Sequence, residues 1–159
     1  MNDRASILIV DDEEVVRLSL LRSLLGTNCN AQVADSGNEA LRVMEQHPFD
    51  VILLDLRMPD LDGMDVLKII KDRWPDSEVV IITGYPSIES AKEAVRLGAY
   101  DYLTKPVGPV DIIKAANDAI IQKRWALRSN LKNREAADLD THQPKNQAAT
   151  QPTRSGDKL

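Results

Sequence analysis

The chain has 159 residues, 43% of them hydrophobic but few aromatic, which is enough for one domain with an aliphatic core and a further terminal segment. Its net charge of -5 argues against direct binding to nucleic acid, and its one cysteine, Cys29, excludes an internal disulfide and fits a reducing compartment. No apolar run in the sequence approaches the ~20 residues of a membrane span or forms a secretory signal, so we expect a cytoplasmic protein without membrane contact.

Five short runs of mainly apolar residues predict five β-strands, the third of them apolar on both faces as in a buried parallel sheet. In chain order, the predicted strands cover residues 7–10, 31–34, 51–54, 79–82 and 100–103. Turn-forming residues follow these runs, for example Pro59 and the Asp62–Gly63 pair after the third.

Between and after the strands, apolar residues recur at helical spacing and predict five helices. Ser36 with Glu39 matches a capping box, Ser87 is a predicted N-cap, and Pro109 suits the first turn of the last helix. The residues predicted to face the core are Val15, Leu18, Leu21 and Leu25 in the first helix, Ala40, Leu41 and Met44 in the second, Leu67, Ile70 and Trp74 in the third, Ile88, Ala91, Ala94 and Val95 in the fourth, and Ile113, Ala116 and Ile120 in the fifth.

The alternation of strands and helices predicts an α/β fold, with a parallel sheet covered on both faces and right-handed crossovers. We place the domain at residues 1–124, with a last helix that extends to about 137 and a polar, disordered tail at 138–159. The extension is partly apolar at Trp125, Leu127, Leu131 and Ala137. It either frays in solvent or binds a partner or a second copy of the chain.

Polar residues follow four of the predicted strands. Asp11 and Asp12 come after the first, Asp55 after the third, Thr83 after the fourth and Lys105 after the fifth. Because ligands in open α/β sheets bind outside the carboxyl ends of the strands, we expect these side chains to converge on one crevice. Crowded carboxylates repel each other unless a cation offsets their charge, and oxygen ligands of this kind suit Mg²⁺.

The acids at these strand ends divide into metal ligands and a nucleophile. We expect Asp12 to bind Mg²⁺ directly, Asp11 to hold a metal-bound water, and the backbone carbonyl of Arg57 to complete the coordination together with Asp55. Asp55 is also suited to attack a phosphorus atom as a carboxylate nucleophile, which forms an acyl phosphate.

Lys105 and Thr83 are suited to the phosphoryl oxygens, because an ammonium neutralises their charge and a hydroxyl donates a hydrogen bond. Each residue also has a purely structural interpretation: the acids can cap helices, Thr83 can form a turn, and Lys105 can be solvated. The joint occurrence of suitable residue types at four strand ends favours the functional interpretation.

Four stretches together make the chain similar to a known family. They are ILIVDDE at 7–13, DLRMPDLDG at 55–63, TGY at 83–85 and GAYDYLTKP at 98–106. The chain resembles the receiver domain of two-component response regulators over residues 6–123. The resemblance implies a flavodoxin-like (βα)5 fold with strand order 2-1-3-4-5. It also implies a cis Lys105–Pro106 bond and transfer of a phosphoryl group to Asp55, with Mg²⁺, from the phosphohistidine of a histidine kinase or phosphotransfer protein.

The resemblance further implies a conformational switch. Thr83 moves toward the phosphoryl group and Tyr102 rotates into the vacated space, although simple half-buried packing also explains Tyr102. The switch changes the surface formed by the fourth helix, fifth strand and fifth helix, which binds a downstream protein. A homodimer through this face or through the extended last helix is a further expectation. Arg57 and Tyr85 flank the site and are expected to tune the phosphorylated lifetime.

Two other classes of function compete with this interpretation. A phosphohydrolase with an aspartyl-phosphate intermediate usually has a second acid two residues after its nucleophile, and this chain has Arg57 there. A flavin-binding redox protein needs a Gly/Ser/Thr phosphate cradle after the first strand, where the acids at 11–13 repel phosphate. We therefore expect a phospho-accepting switch that catalyses its own phosphorylation and dephosphorylation, rather than an enzyme. It acts alone, as a phosphorelay intermediate, or as part of a longer regulator.

Overall fold

Strands and helices alternate through the whole described chain. The computed structural model describes residues 3–141. The elements in chain order are β1 (Ala5–Val10), α1 (Glu14–Leu24), β2 (Cys29–Ala34), α2 (Gly37–Gln46), β3 (Val51–Leu54), α3 (Gly63–Arg73), β4 (Glu78–Thr83), α4 (Ile88–Arg96), β5 (Asp101–Thr104) and α5 (Pro109–Thr141).

The five strands form one parallel sheet in the order β2-β1-β3-β4-β5. This confirms the predicted α/β flavodoxin-like fold. All four residues of β3 are buried, because β3 lies between β1 and β4 and has helices on both faces. Ile52 and Leu54 belong to a hydrophobic cluster on one face, and Val51 and Leu53 to a cluster on the other. The buried strand β3 therefore fixes the backbone position of Asp55, the residue that follows it.

Helix α1 buries a different face from the one predicted. Leu20 and Leu24 are buried, and of the predicted residues only Leu21 packs against the core. The exposed members of the predicted face are Val15, Leu18 and Leu25. Since α1 carries apolar residues on more than one stripe, spacing alone does not select the register, and contact with the sheet decides it.

Helices α4 and α5 show smaller departures of the same kind. In α4 only Ala94 is fully buried, whereas Ile88 is 76% and Val95 67% exposed. Helix α4 packs at the edge of the sheet beside β5, so only a narrow stripe of it is covered. In α5 the predicted Ala116 and Ile120 are buried, but Ile112 is buried in place of Ile113, which is half-buried.

The predicted N-caps are present. Ser36 Oγ accepts a hydrogen bond from the Glu39 backbone N–H at 3.1 Å, and Glu39 Oε2 accepts one from the Asp35 N–H at 2.9 Å. At α4, Ser87 Oγ accepts from the Ser90 N–H at 3.0 Å. These bonds satisfy donors that have no partner within their own helix.

A polar network holds the amino end of β3. The carboxylate of Asp50 accepts hydrogen bonds from the Ser6 N–H at 2.7 Å and from Lys123 Nζ at 2.6 Å. Burial raises the pKa of Asp50, but the hydrogen bonds from Lys123 and Ser6 outweigh it, so the pKa is lowered overall. The network joins β1, the start of β3 and α5.

The chain separates into two compact units, Met1–Leu127 and Arg128–Leu159. In the second unit, residues 128–141 are helical, and Leu131 and Leu139 are exposed. The helix therefore includes the first residues of the predicted tail, while 142–159 lies outside the described residues. None of the helices within residues 3–141 has the length and apolar character that crossing a bilayer requires.

Candidate functional site

Three carboxylates meet at the carboxyl end of the sheet. Strands β1 and β3 pair with Val10 opposite Leu54, so the next residue of each strand, Asp11 and Asp55, lies at the same level. The Asp55 N–H donates to the Val10 carbonyl at 2.9 Å. Asp11 and Asp55 are buried, Asp12 is exposed, and each offers a carboxylate oxygen within 4.8 Å of the others.

Lys105 supplies the positive charge beside these acids. Its Nζ lies 2.6 Å from Asp11 Oδ2 and 3.6 Å from Asp55 Oδ1. Its backbone N–H donates to the Thr83 carbonyl at 2.8 Å, and the Lys105–Pro106 bond is cis, as the resemblance implies. Burial lowers the pKa of Lys105, but the hydrogen bond to Asp11 and the charge of Asp55 outweigh this and raise it overall. The ammonium is therefore charged in the metal-free protein.

Asp55 is unusually easy to protonate. Burial, followed by the charge of Asp11, raises its pKa from 3.8 to about 6, although Lys105 and a hydrogen bond from the Arg57 backbone oppose the shift. Two buried carboxylates beside one ammonium leave an excess of negative charge at the strand ends. The pocket therefore favours an added cation.

The raised pKa of Asp55 makes stability depend on pH. Between pH 3.8 and about 6 the folded protein holds a proton on Asp55 that the unfolded chain has released, so the free energy of unfolding falls as pH rises through this window. Asparagine does not titrate, so we expect the free energy of unfolding of Asp55→Asn to increase relative to that of the wild type as the pH rises from 3.8 to about 6. Urea unfolding of both metal-free proteins below and above the window measures the difference; an equal difference at both pH values contradicts the expectation.

Arg57 and Tyr85 form one wall of an open cleft above Asp55. The Arg57 guanidinium carbon lies 4.1 Å from the centre of the Tyr85 ring, a cation–π contact. The cleft has a volume of about 510 Å³. Its lining residues are Asp12, Glu13, Asp55, Arg57, Gly84, Tyr85 and Lys105.

Thr83 and Tyr102 are not among the residues that line this cleft. Thr83 is fully buried, and its Oγ1 accepts a hydrogen bond from the Tyr85 N–H at 3.1 Å. Tyr102 is half-buried, and its hydroxyl lies 2.6 Å from Ser90 Oγ and 3.4 Å from the Ser87 nitrogen at the start of α4. The switch roles assigned to these two residues stay predictions.

Two residues of the site were not assigned a role from sequence. Glu13 follows Asp11 and Asp12 in the sequence and lines the cleft. Its place in this acidic run is the sequence feature that could have indicated a role at the site. Arg17 Nη1 donates to the Asp11 carbonyl at 2.8 Å, which helps to hold the acidic turn. That contact depends on how α1 lies against the turn, so no sequence pattern indicates it.

The donor set fits a hard divalent cation. Carboxylate oxygens from two neighbouring loops converge, and their excess charge favours a cation over further protons near neutral pH. Asp11, Asp12 and Asp55 are the side chains able to hold it. The predicted contribution of the Arg57 carbonyl stays a prediction.

Comparisons with known proteins agree with this geometry. The sequence model of the response regulator receiver domain matches residues 7–117. The chain is 38% identical over 135 residues to an NtrX-like response regulator of Rickettsia typhi, covering 84% of this chain and 27% of that protein. It is 42% identical over 107 residues to the transcriptional regulatory protein ZraR of Escherichia coli K12, covering 67% and 24%. The chain thus spans about a quarter of the length of these relatives.

A solved structure shows the same architecture. The CheY-like receiver domain protein of Methanospirillum hungatei JF-1 aligns with a TM-score of 0.75 and 27% identity, over 78% of this chain and 99% of that one. The sequence match, the strand order and the acidic pocket agree with one another. The chain belongs to the response regulator receiver domain family.

Proposed function

We propose that this receiver accepts a phosphoryl group on Asp55, in the presence of Mg²⁺, from the phosphohistidine of a histidine kinase or phosphotransfer protein. One observation carries the proposal: a buried carboxylate at the end of the central strand, with two further carboxylates within 4.8 Å and a lysine ammonium at 3.6 Å. The test is incubation with acetyl phosphate. One phosphoryl group should be added in Mg²⁺ and none in EDTA.

The transfer exchanges one bond to phosphorus for another. A carboxylate oxygen of Asp55 attacks the phosphorus, the P–N bond of the donor breaks, and its electron pair stays on the imidazole, which takes up a proton. The Lys105 ammonium bonds to Asp11 and lies 3.6 Å from Asp55, so a small movement away from Asp11 brings it to phosphoryl oxygens on Asp55. Positioning and charge neutralisation are the main requirements of this chemistry.

The acids of the pocket are the proposed Mg²⁺ site, with Asp12 as a direct ligand and Asp11 holding a metal-bound water. Bound there, Mg²⁺ supplies the positive charge that lets three carboxylates and a phosphoryl group share one pocket. Asp55 must be ionised both to bind the metal and to attack phosphorus, so in the metal-free protein, where its pKa is raised to about 6, a proton competes with Mg²⁺ below neutral pH.

Tyr85 is proposed to prolong the phosphorylated state. Tyr85 is 64% exposed, and its ring, held against Arg57, covers one side of the cleft through which water reaches Asp55. We expect Tyr85→Ala to hydrolyse its acyl phosphate several-fold faster, while Tyr85→Phe keeps the ring and the wild-type rate. Phosphate release after removal of the phosphodonor measures this lifetime. Equal rates in all three proteins would exclude the shielding role.

Output is proposed to occur through protein contact. In this proposal phosphorylation draws Thr83 toward the site and lets Tyr102 leave its hydrogen bond to Ser90, which alters the surface of α4, β5 and α5. Several apolar side chains are exposed on these helices, including Ile88, Val95 and Val110. A downstream protein in the cytoplasm, or a second copy of the chain, is the proposed partner.

A phosphohydrolase remains the second candidate, because it uses the same acyl phosphate. Arg57 stands where such an enzyme usually has its general acid, and its guanidinium is engaged with the Tyr85 ring. We therefore propose a switch that phosphorylates and dephosphorylates itself. Turnover of an added phosphomonoester by the chain would favour the enzyme instead.

A further inference from the structure

The corner between β2 and α2, residues 34–38, contacts both loops that carry the acids. On one side, the Ala34 carbonyl accepts a hydrogen bond from the Asp11 N–H at 3.3 Å. On the other, the carboxylate of Asp60 accepts from the Gly37 N–H at 3.3 Å and the Asn38 N–H at 3.0 Å. Asp60 belongs to the loop that follows Asp55, so α2 is tied to that loop.

The start of α2 depends on Asp60 for its hydrogen bonds. Ser36 satisfies the Glu39 N–H with its hydroxyl and the Ala40 N–H with its carbonyl. The two remaining free donors of the first turn, on Gly37 and Asn38, both go to Asp60. A carboxylate at a helix N-terminus is also favoured by the helix dipole. The contact is therefore a specific one, with both carboxylate oxygens engaged.

The loop that carries Asp60 has little room to adjust. A side-chain carbon on Gly37 would lie 2.7 Å from Val66 Cγ2 and 3.1 Å from Leu61 Cβ, so α2 and the loop are in direct contact there. At its far end, the Gly63 N–H donates to the Leu56 carbonyl at 2.9 Å. Since the loop is packed against α2 and hydrogen-bonded at its far end, we expect a displacement at Asp60 to shift the residues next to Asp55.

We propose that Asp60 is a positioning residue for the acidic pocket, fixing the loop that follows Asp55 against α2 so that the carboxylates are preorganised for the divalent cation. The inference rests on the proposed function, because it takes Mg²⁺ as the ligand of the pocket. Mg²⁺ demands near-ideal coordination geometry, so small shifts of its oxygen donors weaken binding. Groups that orient metal ligands without touching the metal are known to affect affinity in this way.

The test compares two caps of the same helix. Asp60→Ala removes the tie to the loop, whereas Ser36→Ala removes a cap whose side-chain hydrogen bond lies within α2 itself. We expect both variants to have lower thermal unfolding midpoints. Isothermal titration calorimetry should show Mg²⁺ binding that is several-fold weaker in Asp60→Ala only. This loss is smaller than the roughly 10–100-fold that is typical when a group hydrogen-bonded directly to a metal-binding residue is removed, because Asp60 acts through the loop.

Hydrogen exchange in the wild type provides a second measurement that needs no variant. Because coupling between two sites is reciprocal, Mg²⁺ should slow exchange of the Gly37 and Asn38 amides more than that of the Glu39 amide, which bonds to Ser36. Equal Mg²⁺ affinities in the two variants, or no selective slowing, would overturn the role of Asp60. Failure of the wild type itself to bind Mg²⁺ would instead overturn the metal site and the proposed function.

Discussion

Replacing Asp55 by asparagine is expected to abolish phosphoryl acceptance. The amide has nearly the shape of the carboxylate but is a poor nucleophile, and it removes one of the three acids that define the pocket. Intact-mass measurement after incubation with acetyl phosphate and Mg²⁺ should show one added phosphoryl group on the wild type and none on the variant. Hydroxylamine, which cleaves acyl phosphates, should remove the added group.

Asp50 provides a matched control for this substitution. It is a half-buried aspartate next to the other end of β3, and its carboxylate is engaged with Ser6 and Lys123 rather than with the acidic pocket. Asp50→Asn should be somewhat less stable but should still gain the phosphoryl group. Addition that persists in Asp55→Asn, with the variant folded by circular dichroism, would show that a different residue is the acceptor.

Gly63→Ala is expected to destabilise the fold strongly, although it adds only one methyl group. A Cβ at this position would lie against the carbonyl oxygen of Asp55 and 2.5 Å from the Cα of Leu56, and both obstacles are backbone atoms. Side-chain rotation cannot relieve such a contact, so the loop after Asp55 must shift. We expect a loss of about 3 kcal/mol in the free energy of unfolding, measured in urea.

Gly84→Ala is the control for the loss of a glycine. A Cβ there would meet only Lys105 Cδ at 3.8 Å, an ordinary van der Waals distance. Its free energy of unfolding should stay within about 0.5 kcal/mol of the wild type. A similar small effect for Gly63→Ala would show that the loop after Asp55 is more adaptable than its packing indicates.

The central strands and the acidic pocket could be predicted because they depend on short-range patterns. The apolar run at 51–54 predicts a strand buried on both faces, and the strand order that the family resemblance implies then places Asp55 beside Asp11. The alternation of elements was sufficient for the fold class, and three of the four strand ends, those that carry the acids and Lys105, lie together at the site.

Contacts that depend on tertiary register could not be predicted in the same way. Val15 and Leu18 fit the apolar spacing of α1 but are exposed, because Leu20 and Leu24 provide an alternative stripe that the sheet selects. The hydrogen bond from the Asn38 N–H to the Asp60 carboxylate joins residues 22 apart in sequence, and it exists only because two loops meet at the same end of the sheet. The secondary-structure propensities of the two segments contain no information about this tertiary contact.

The ion pair between Lys123 and Asp50 bears on where this receiver can be shortened. The family match ends at residue 117, whereas the cation that compensates the half-buried Asp50 carboxylate comes six residues later, still within the first compact unit. A chain cut at the end of the match would keep every acid of the pocket. It would lose the partner that holds the opposite end of the strand leading to Asp55, so we expect a receiver that ends at residue 117 to be less stable than one that includes Lys123.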